Sequence, residues 1–178
     1  ILIADVIGEW LNFGIFQQDV PRVTTGTAWI MLLFFAIQLY YDFAGYTDMA
    51  IGLSQLFGIK LPENFNLPYT ASSITDFWRR WHITLSNWFR EYVFMPLEWK
   101  RRKIKWLKQW MNTLIIFLLT GLWHGLSLNF IIWGLMHGGA IVLEQSKKTG
   151  AKIKSWSKSW QHVYTLGVVL LSWVFFRA

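Results

Sequence analysis

The sequence predicts an all-α integral membrane protein with several transmembrane, broken or re-entrant, and interfacial helices, and three observations lead to that fold class. Apolar residues make up 54% of the 178 residues and charged residues only 15%, whereas a soluble domain carries about 25% charged residues. The chain contains 13 tryptophans, and indole rings collect where a bilayer meets water. Apolar runs of helical length also alternate with short clusters of lysine and arginine. We therefore expect residues 1–178 to belong to a single membrane domain.

The charge and the cysteine count narrow the possible functions. The formal net charge is +7 at pH 7, and basic chains often bind nucleic acid. Here the cations lie between apolar runs without any nucleic-acid-binding motif, so juxtamembrane positive charge explains them better and we expect no nucleic-acid partner. The chain has no cysteine, which excludes a thiolate nucleophile and a thiol-bound metal. Its chemistry must come from histidine, carboxylate, hydroxyl or backbone groups.

The first membrane-length apolar helix is expected from Thr27. Residues 1–16 precede it and are interrupted by two carboxylates, which is typical of the end of a span. A helix over residues 27–59 would reach about 50 Å, whereas a bilayer core needs about 30 Å. The excess length, with Asp42 and Asp48 placed around Gly45, predicts a span that bends there or two short helices joined there.

Residues 74–95 predict one amphipathic helix. Ser73, followed three residues later by Asp76, approximates a capping box, and Pro96 is expected to end the helix. Arg79 and Arg90 share one side of this helix. The opposite side collects apolar residues at helical spacing, namely Ile74, Phe77, Trp81, Leu85, Trp88 and Tyr92. A helix this rich in tryptophan and arginine suits the membrane interface.

Two basic clusters constrain the path of the apolar segment 112–144. The clusters at 100–108 and 147–158 are both expected in the cytoplasm, so the segment must cross the membrane an even number of times. About 32 residues reach only about 48 Å, short of two crossings of about 30 Å each. The sequence therefore predicts a tilted or re-entrant pair of short helices, with His124 deep beside a cavity. The residues that permit the break are Gly121, Gly125 and Asn129. A further span is expected over residues 163–176.

His124 is the strongest candidate for a catalytic residue. A titratable side chain inside a membrane protein is costly, and is a functional candidate for that reason. The structural alternative is an imidazole whose nitrogens are satisfied by backbone carbonyls between packed helices. The functional interpretation is general acid–base catalysis, because apolar surroundings favour the neutral ring that accepts a proton. We expect no metal site, because His137 would lie roughly 220° away around a continuous helix.

The other polar candidates admit two interpretations each. His82 is either an interfacial histidine or a second polar wall of the same cavity. Arg79 and Arg80 either meet lipid headgroups and carboxylates or grip the phosphate or carboxylate of a donor. Asp42 and Asp48 are better explained as ion-pair partners of these cations, or as side chains that bond the backbone groups freed at a helix break, than as catalysts.

Three blocks of sequence resemble consecutive motifs of the membrane-bound O-acyltransferases, in particular the bacterial alginate O-acetylation branch. The blocks are "YYDFAGYTDMAIGLSQLFGIKLPENFNLPY", "SSITDFWRRWHITLSNWFREYVFMPL" and "GLWHGLSLNFIIWGLMHG", and the closing "SWVFFRA" is also similar. The resemblance covers residues 27–144. The branch that incorporates D-alanine into teichoic acid shares "RWH" and "WHG". One departure is "EWKRRKIKWLK", which replaces a glycine-rich run common in the alginate branch.

The resemblance implies a multi-pass enzyme of the bacterial inner membrane that moves an acyl group from a cytoplasmic donor to a hydroxyl. This chain would be the central to C-terminal part of that larger fold. The family's near-universal histidine matches His124, the expected general base. The second histidine of the bacterial branch matches His82, which would orient the acyl thioester or stabilise the developing charge. The predicted substrate-binding residues are Trp78, Arg79, Arg80, Trp123, Asn129, Asp42 and Asp48.

The expected donor is acetyl-CoA or a carrier-bound acyl thioester, with no bound cofactor. The expected acceptor is an exported polysaccharide or a partner protein that relays the acetyl group, and membrane lipid surrounds the chain. D-alanyl or other acyl transfer to a cell-envelope polymer is an alternative. Two alternatives belong to other classes: a transporter or channel in which His124 and the aspartates relay protons, and a non-catalytic scaffold of a polysaccharide export complex.

Overall fold

A computed structural model describes residues 2–16, 24–101 and 109–177. The chain divides into two compact units, Ile1–Glu63 and Asn64–Ala178. Every regular element in the described ranges is a helix, which confirms the predicted all-α class for them. Most of the predicted basic cluster at 100–108, from Arg102 onward, lies outside the described residues.

The N-terminal unit contains two helices, α1 (Leu2–Phe16) and α2 (Thr25–Leu56). Thr24 caps α2, since its Oγ1 accepts a hydrogen bond of 3.2 Å from the Thr27 amide. Within the described ranges, α2 alone is long and apolar enough to cross a membrane.

Helix α2 runs for 32 residues without interruption through Asp42 and Asp48. The prediction of two short helices joined at this point is therefore wrong. Both carboxylates are exposed on the helix surface. An exposed carboxylate needs no change in the backbone to be solvated, so these side chains do not force a break.

The predicted single helix over 74–95 is also wrong. Two short helices, α3 (Ile74–Arg80) and α4 (Ile83–Phe89), replace its first two-thirds. Between them Trp81 is extended, and His82 is left-handed with φ 44° and ψ 55°. The apolar spacing continues across the break, which is why the pattern gave no sign of it.

A preceding loop satisfies the backbone groups that this break releases. The Asn66 amide donates to the Arg80 carbonyl at 2.9 Å, and the Ile83 amide donates to the Asn64 carbonyl at 3.0 Å. Buried backbone groups must find such partners. The break is therefore a built feature of the fold rather than a frayed helix end.

The start of α3 is as predicted, whereas the predicted end of the helical region at Pro96 is wrong. Ser73 caps α3, and its Oγ accepts from the Asp76 amide at 2.9 Å. A π-helical turn, Arg90–Phe94, follows α4 and leads into α5 (Met95–Arg101). Pro96 therefore does not end the helical run, since it lies in the first turn of α5, which follows the π-helical turn without interruption.

Helices α6 (Gln109–His124) and α7 (Leu128–Gln145) form the predicted pair of short helices. The break falls at residues 125–127, and the Ser127 side chain caps α7 by accepting from the Asn129 amide at 3.3 Å. At about 1.5 Å per residue, the 16 and 18 residues of these helices reach roughly 24 and 27 Å. Whether the pair is re-entrant stays a prediction.

Two glycines let α6 and α7 pack backbone against backbone. A Cβ on Gly121 would lie 2.3 Å from the Phe130 carbonyl oxygen, and a Cβ on Gly134 would lie 2.3 Å from the Phe117 carbonyl oxygen. Gly121 thus lies inside α6 and serves helix packing, and not the break for which it was predicted. Asn129 likewise lies inside α7, in its first turn.

The C-terminal part of the chain consists of α8 (Lys147–Lys154) and α9 (Lys158–Arg177). The lysines of α8 are exposed. Helix α9 contains the last predicted span and packs against α7, burying Thr165, Val169, Ser172 and Trp173. That α9 crosses the membrane stays a prediction.

Candidate active site

The first candidate residue, His82, lies in the break between α3 and α4 and is half-buried. Its Nδ1 lies 3.2 Å from Oδ1 of Asn64. Asn64 itself is only 6% exposed, and the same Oδ1 accepts from the amide of Thr84 at 3.1 Å and from its hydroxyl at 2.9 Å. One buried amide oxygen therefore holds both the histidine and the first turn of α4.

The electrostatic environment keeps His82 neutral. Burial lowers the pKa of His82 to about 4, and the nearby His124 acts in the same direction. The ring is therefore neutral at pH 7 and offers one N–H donor and one nitrogen lone pair.

His124 is the last residue of α6 and is half-buried among aromatic rings. Its ring centroid lies 5.1 Å from that of Trp133 and 5.0 Å from that of Phe176, both in edge-on geometry. Phe130 stacks on it at 5.9 Å. None of the hydrogen bonds recorded in residues 2–16, 24–101 and 109–177 involves the ring of His124. The carbonyl-satisfied arrangement considered for this residue is thus not observed there.

The ring of Trp123 contacts the rings of both histidines. Its ring centroid is 6.4 Å from that of His82 and 4.9 Å from that of His124. Trp123 is 58% exposed, so these ring contacts leave much of its indole accessible. The structure therefore brings together three of the predicted site residues, which come from two distant blocks of the sequence.

His137 fills the structural role that was weighed for His124. It is fully buried, its Nδ1 accepts from the Trp78 indole at 3.2 Å, and its Nε2 lies 2.8 Å from Oγ of Ser172. The Ser172 hydroxyl donates to the Val169 carbonyl at 2.7 Å, so it must accept from Nε2–H of the histidine. Both nitrogens are satisfied, and the hydrogen bonds tie α3, α7 and α9 together.

A cavity of about 450 Å³ lies among α3, α4, the π-helical turn, α6 and α7. Trp78 and Arg79, both predicted to bind substrate, line it, and so does Arg90. About half of the other lining residues are apolar, among them Phe117 and Ile141. The cavity can therefore accept a ligand that combines an apolar part with an anionic group.

The remaining predicted binding residues lie elsewhere. The guanidinium of Arg80 pairs with Asp76 at 3.0 Å and so holds α3 internally. Asn129 is half-buried in the first turn of α7. Asp42 and Asp48 are exposed on α2, in the N-terminal unit, and neither forms an ion pair with another described residue.

Two buried polar residues escaped the sequence analysis. Asn64 appeared only within the first of the three blocks that carry the family resemblance. Glu144 accepts hydrogen bonds from the amide of Ile74 at 2.6 Å and from the amide and hydroxyl of Thr75 at 3.0 and 2.7 Å, and so anchors the start of α3 to the end of α7. Their partners lie 18 to 20 and 69 to 70 residues away. For Glu144, the sequence signal that could have indicated this role was a carboxylate at the end of an apolar helix.

The helical fold, the membrane-length helix and the paired half-buried histidines define the class as a helical membrane protein with a candidate acid–base site. No group of three or more histidine, aspartate or glutamate side chains in the described part of the chain is arranged to hold a metal ion. Residues 16–178 match the sequence model of the membrane-bound O-acyltransferase family. The chain belongs to this family, whose members are membrane proteins, and this confirms the resemblance.

The names of similar proteins refer to different polymers. The chain is 42% identical to the peptidoglycan O-acetyltransferase of Helicobacter pylori, over all of the chain and 33% of that protein. It is 44% identical to the probable alginate O-acetylase AlgI of Pseudomonas aeruginosa, again over all of the chain and 33% of the relative. It is 43% identical to the teichoic acid D-alanyltransferase of Bacillus subtilis, over 74% of the chain and 35% of the relative. The chain thus spans about a third of the length of these relatives.

Proposed function

We propose that this chain is the catalytic part of a multi-pass enzyme of the bacterial inner membrane that transfers an acyl group, in the first instance acetyl, from a thioester to a hydroxyl of an exported polysaccharide. Residues 1–178 would be a partial membrane domain of that enzyme. The observation that supports the proposal is that His82 and His124 both contact the ring of Trp123. Two neutral imidazoles that share one aromatic neighbour suit proton transfer without a covalent enzyme intermediate.

In this proposal His124 is the general base. The acceptor oxygen bonds to the thioester carbonyl carbon while His124 takes the hydroxyl proton. The carbon–sulfur bond then breaks, and the departing thiolate receives that proton. The surrounding rings of Phe130, Trp133 and Phe176 exclude water and favour a neutral base.

The cavity is the proposed site for the anionic part of the donor. Arg79 and Arg90 flank it, and neither forms an ion pair with a described residue. Guanidinium groups match the phosphates that coenzyme A or a carrier-bound arm would bring. Ile83, which directly follows His82 in the chain, lines the cavity, whereas His82 and His124 are not among its lining residues.

A donor site predicts a specific kinetic signature for arginine variants of the full-length enzyme. Arg79→Ala and Arg90→Ala should raise KM for the donor about tenfold or more and leave kcat nearly unchanged, because a lost phosphate contact removes binding in the ground and transition states alike. Lys152→Ala on exposed α8 is the matched control. A wild-type KM for the donor in both arginine variants would show that the cavity does not bind the donor.

A second candidate is D-alanyl transfer, which the relative from Bacillus subtilis favours. A third route is acetyl transfer to a relay protein and not directly to the polymer. Direct chemical analysis separates these outcomes. Exported polymers from cells that lack and cells that express the full-length protein would be hydrolysed, and the released acetate and D-alanine measured.

Histidine variants in the same cells test the catalytic roles. Cells that express His124→Ala or His82→Ala should lose polymer acylation although the protein is present at normal levels in the membrane. His162→Asn is the matched control, since His162 bonds the Ala71 carbonyl through Nδ1 and an asparagine amide can replace that contact. Normal acylation with His124→Ala would leave a transporter or a scaffold as the better account.

A further inference from the structure

We propose that Asn64 is a positioning residue that fixes the tautomer of His82, so that this histidine presents Nε2 to the reaction as a hydrogen-bond acceptor. The inference rests on the proposed function, because it concerns how His82 acts there. It also chooses between the two roles expected for His82, which were to orient a substrate group or to stabilise developing negative charge.

The amide orientation of Asn64 follows from its partners. The Thr84 backbone N–H can only donate, and it points at the same side-chain atom as the Thr84 hydroxyl and Nδ1 of His82. An amide nitrogen at that position would face the backbone N–H with a second donor. The atom is therefore the carbonyl oxygen, Oδ1.

The tautomer of His82 follows from that orientation. A carbonyl oxygen is only an acceptor, so Nδ1 must carry the proton and donate across the 3.2 Å separation. The neutral ring then has its lone pair at Nε2. Such a nitrogen accepts a hydrogen bond from a hydroxyl or an amide N–H, and it cannot donate one to an oxyanion.

The backbone conformation at His82 restricts the position of its side chain. His82 adopts a left-handed conformation, which non-glycine residues rarely take. Asn64 holds the α4 side of the break, since its backbone carbonyl accepts from the Ile83 amide and its side chain from Thr84, while the Asn66 amide holds the α3 side through the Arg80 carbonyl. The histidine is therefore fixed in position and in tautomer by the same buried residue.

The charged and titratable groups near His82 bear on this test. His124, at the end of α6, acts on His82 electrostatically. Arg79 and Arg80 precede it on α3, and Arg80 is paired with Asp76. A carboxylate placed at position 64 would thus be the nearest negative charge and would favour the protonated ring.

Asn64→Asp tests the inference by the sign of its effect. The variant keeps an acceptor for Thr84 and for Nδ1, but its carboxylate raises the pKa of His82, by about 1 to 3 units for a close opposite charge. Protonation puts a proton on Nε2 and removes the acceptor. We expect the acid limb of the kcat/KM profile of the full-length enzyme to move up by about one pH unit or more, with activity recovering at alkaline pH.

Two further variants make the test specific. Asn64→Leu should lower kcat/KM about 10- to 100-fold, by analogy with the loss of the hydrogen-bond partner that orients a metal-bound histidine. Thr84→Val is the matched control, because it removes one hydrogen bond to Asn64 without touching His82, and it should leave the pH profile unchanged. Size-exclusion chromatography checks that each variant is folded, since a folded variant should elute at the same volume as the wild type.

The possible results separate this inference from the function on which it rests. If Asn64→Asp is more active at low pH, His82 acts as a donor and the inference is wrong. An unshifted profile, with His82→Ala inactive, would also overturn it while leaving the catalytic role of His82 intact. Full activity of His82→Ala would instead refute the proposed role of His82 itself.

Discussion

The ring of His82 lies edge-on to the indole of Trp123, with 6.4 Å between the ring centroids. One residue belongs to the break after α3 and the other to the last turn of α6. Trp123 directly precedes His124 and also contacts its ring, at 4.9 Å, so both histidines share this aromatic neighbour.

Trp123 should matter more for activity than for stability. Its indole is 58% exposed, so Trp123→Ala removes little buried area and should change the melting temperature by only a few degrees. Loss of the ring that contacts both histidines should lower kcat about tenfold or more, whereas Trp123→Phe should keep most of the wild-type kcat. Equal kcat for Trp123→Ala and the wild type would show that Trp123 does not organise the site.

The hydrogen-bonded chain through His137 should contribute to stability. Ser172→Ala leaves Nε2–H of the fully buried His137 without its acceptor, which costs about 1 to 3 kcal/mol. Thermal unfolding of the full-length protein in detergent would measure this loss. The control is Ser155→Ala, because that hydroxyl donates to the Lys152 carbonyl at the surface and should change stability by less than about 0.5 kcal/mol.

Two glycines of α7 should respond in opposite ways to the same substitution. Gly134→Ala drives a methyl group toward the Phe117 carbonyl oxygen, so α6 and α7 must separate, at a cost of about 1 to 3 kcal/mol. Gly139→Ala meets nothing within 4 Å and should be neutral or stabilising by up to about 1 kcal/mol. Equal unfolding temperatures for the two variants would contradict the close packing of this helix pair.

The two basic segments should lie on the same side of the membrane. Lys100 and Lys152 are both exposed, and the chain has no native cysteine. Lys100→Cys and Lys152→Cys in the full-length protein can be labelled with a membrane-impermeant maleimide, provided that the rest of that protein is also free of reactive cysteine. Both should react only in inside-out vesicles, and labelling from opposite sides would disprove an even number of crossings.

Local sequence signals predicted part of this fold. The Ser73 cap and the break after His124 followed from residues adjacent in sequence. The break at His82 did not, because the apolar spacing of Phe77, Trp81 and Leu85 passes through it unchanged.

The missing information lies in long-range contacts. Asn64 satisfies the His82 break from 18 to 20 residues away, and Glu144 caps α3 from 69 to 70 residues away. Neither pairing leaves a periodic pattern. The importance of His82 and His124 was expected from the resemblance, whereas the residue that fixes the tautomer of His82 required the structure.

The most direct test of the central claim is the single-turnover rate of acyl transfer by purified full-length His124→Ala, measured at saturating thioester. Loss of a general base predicts a rate about 10²- to 10⁴-fold below that of the wild type, with donor binding retained. His162→Asn should match the wild type under the same conditions. A wild-type rate for His124→Ala would contradict the proposed role of this histidine.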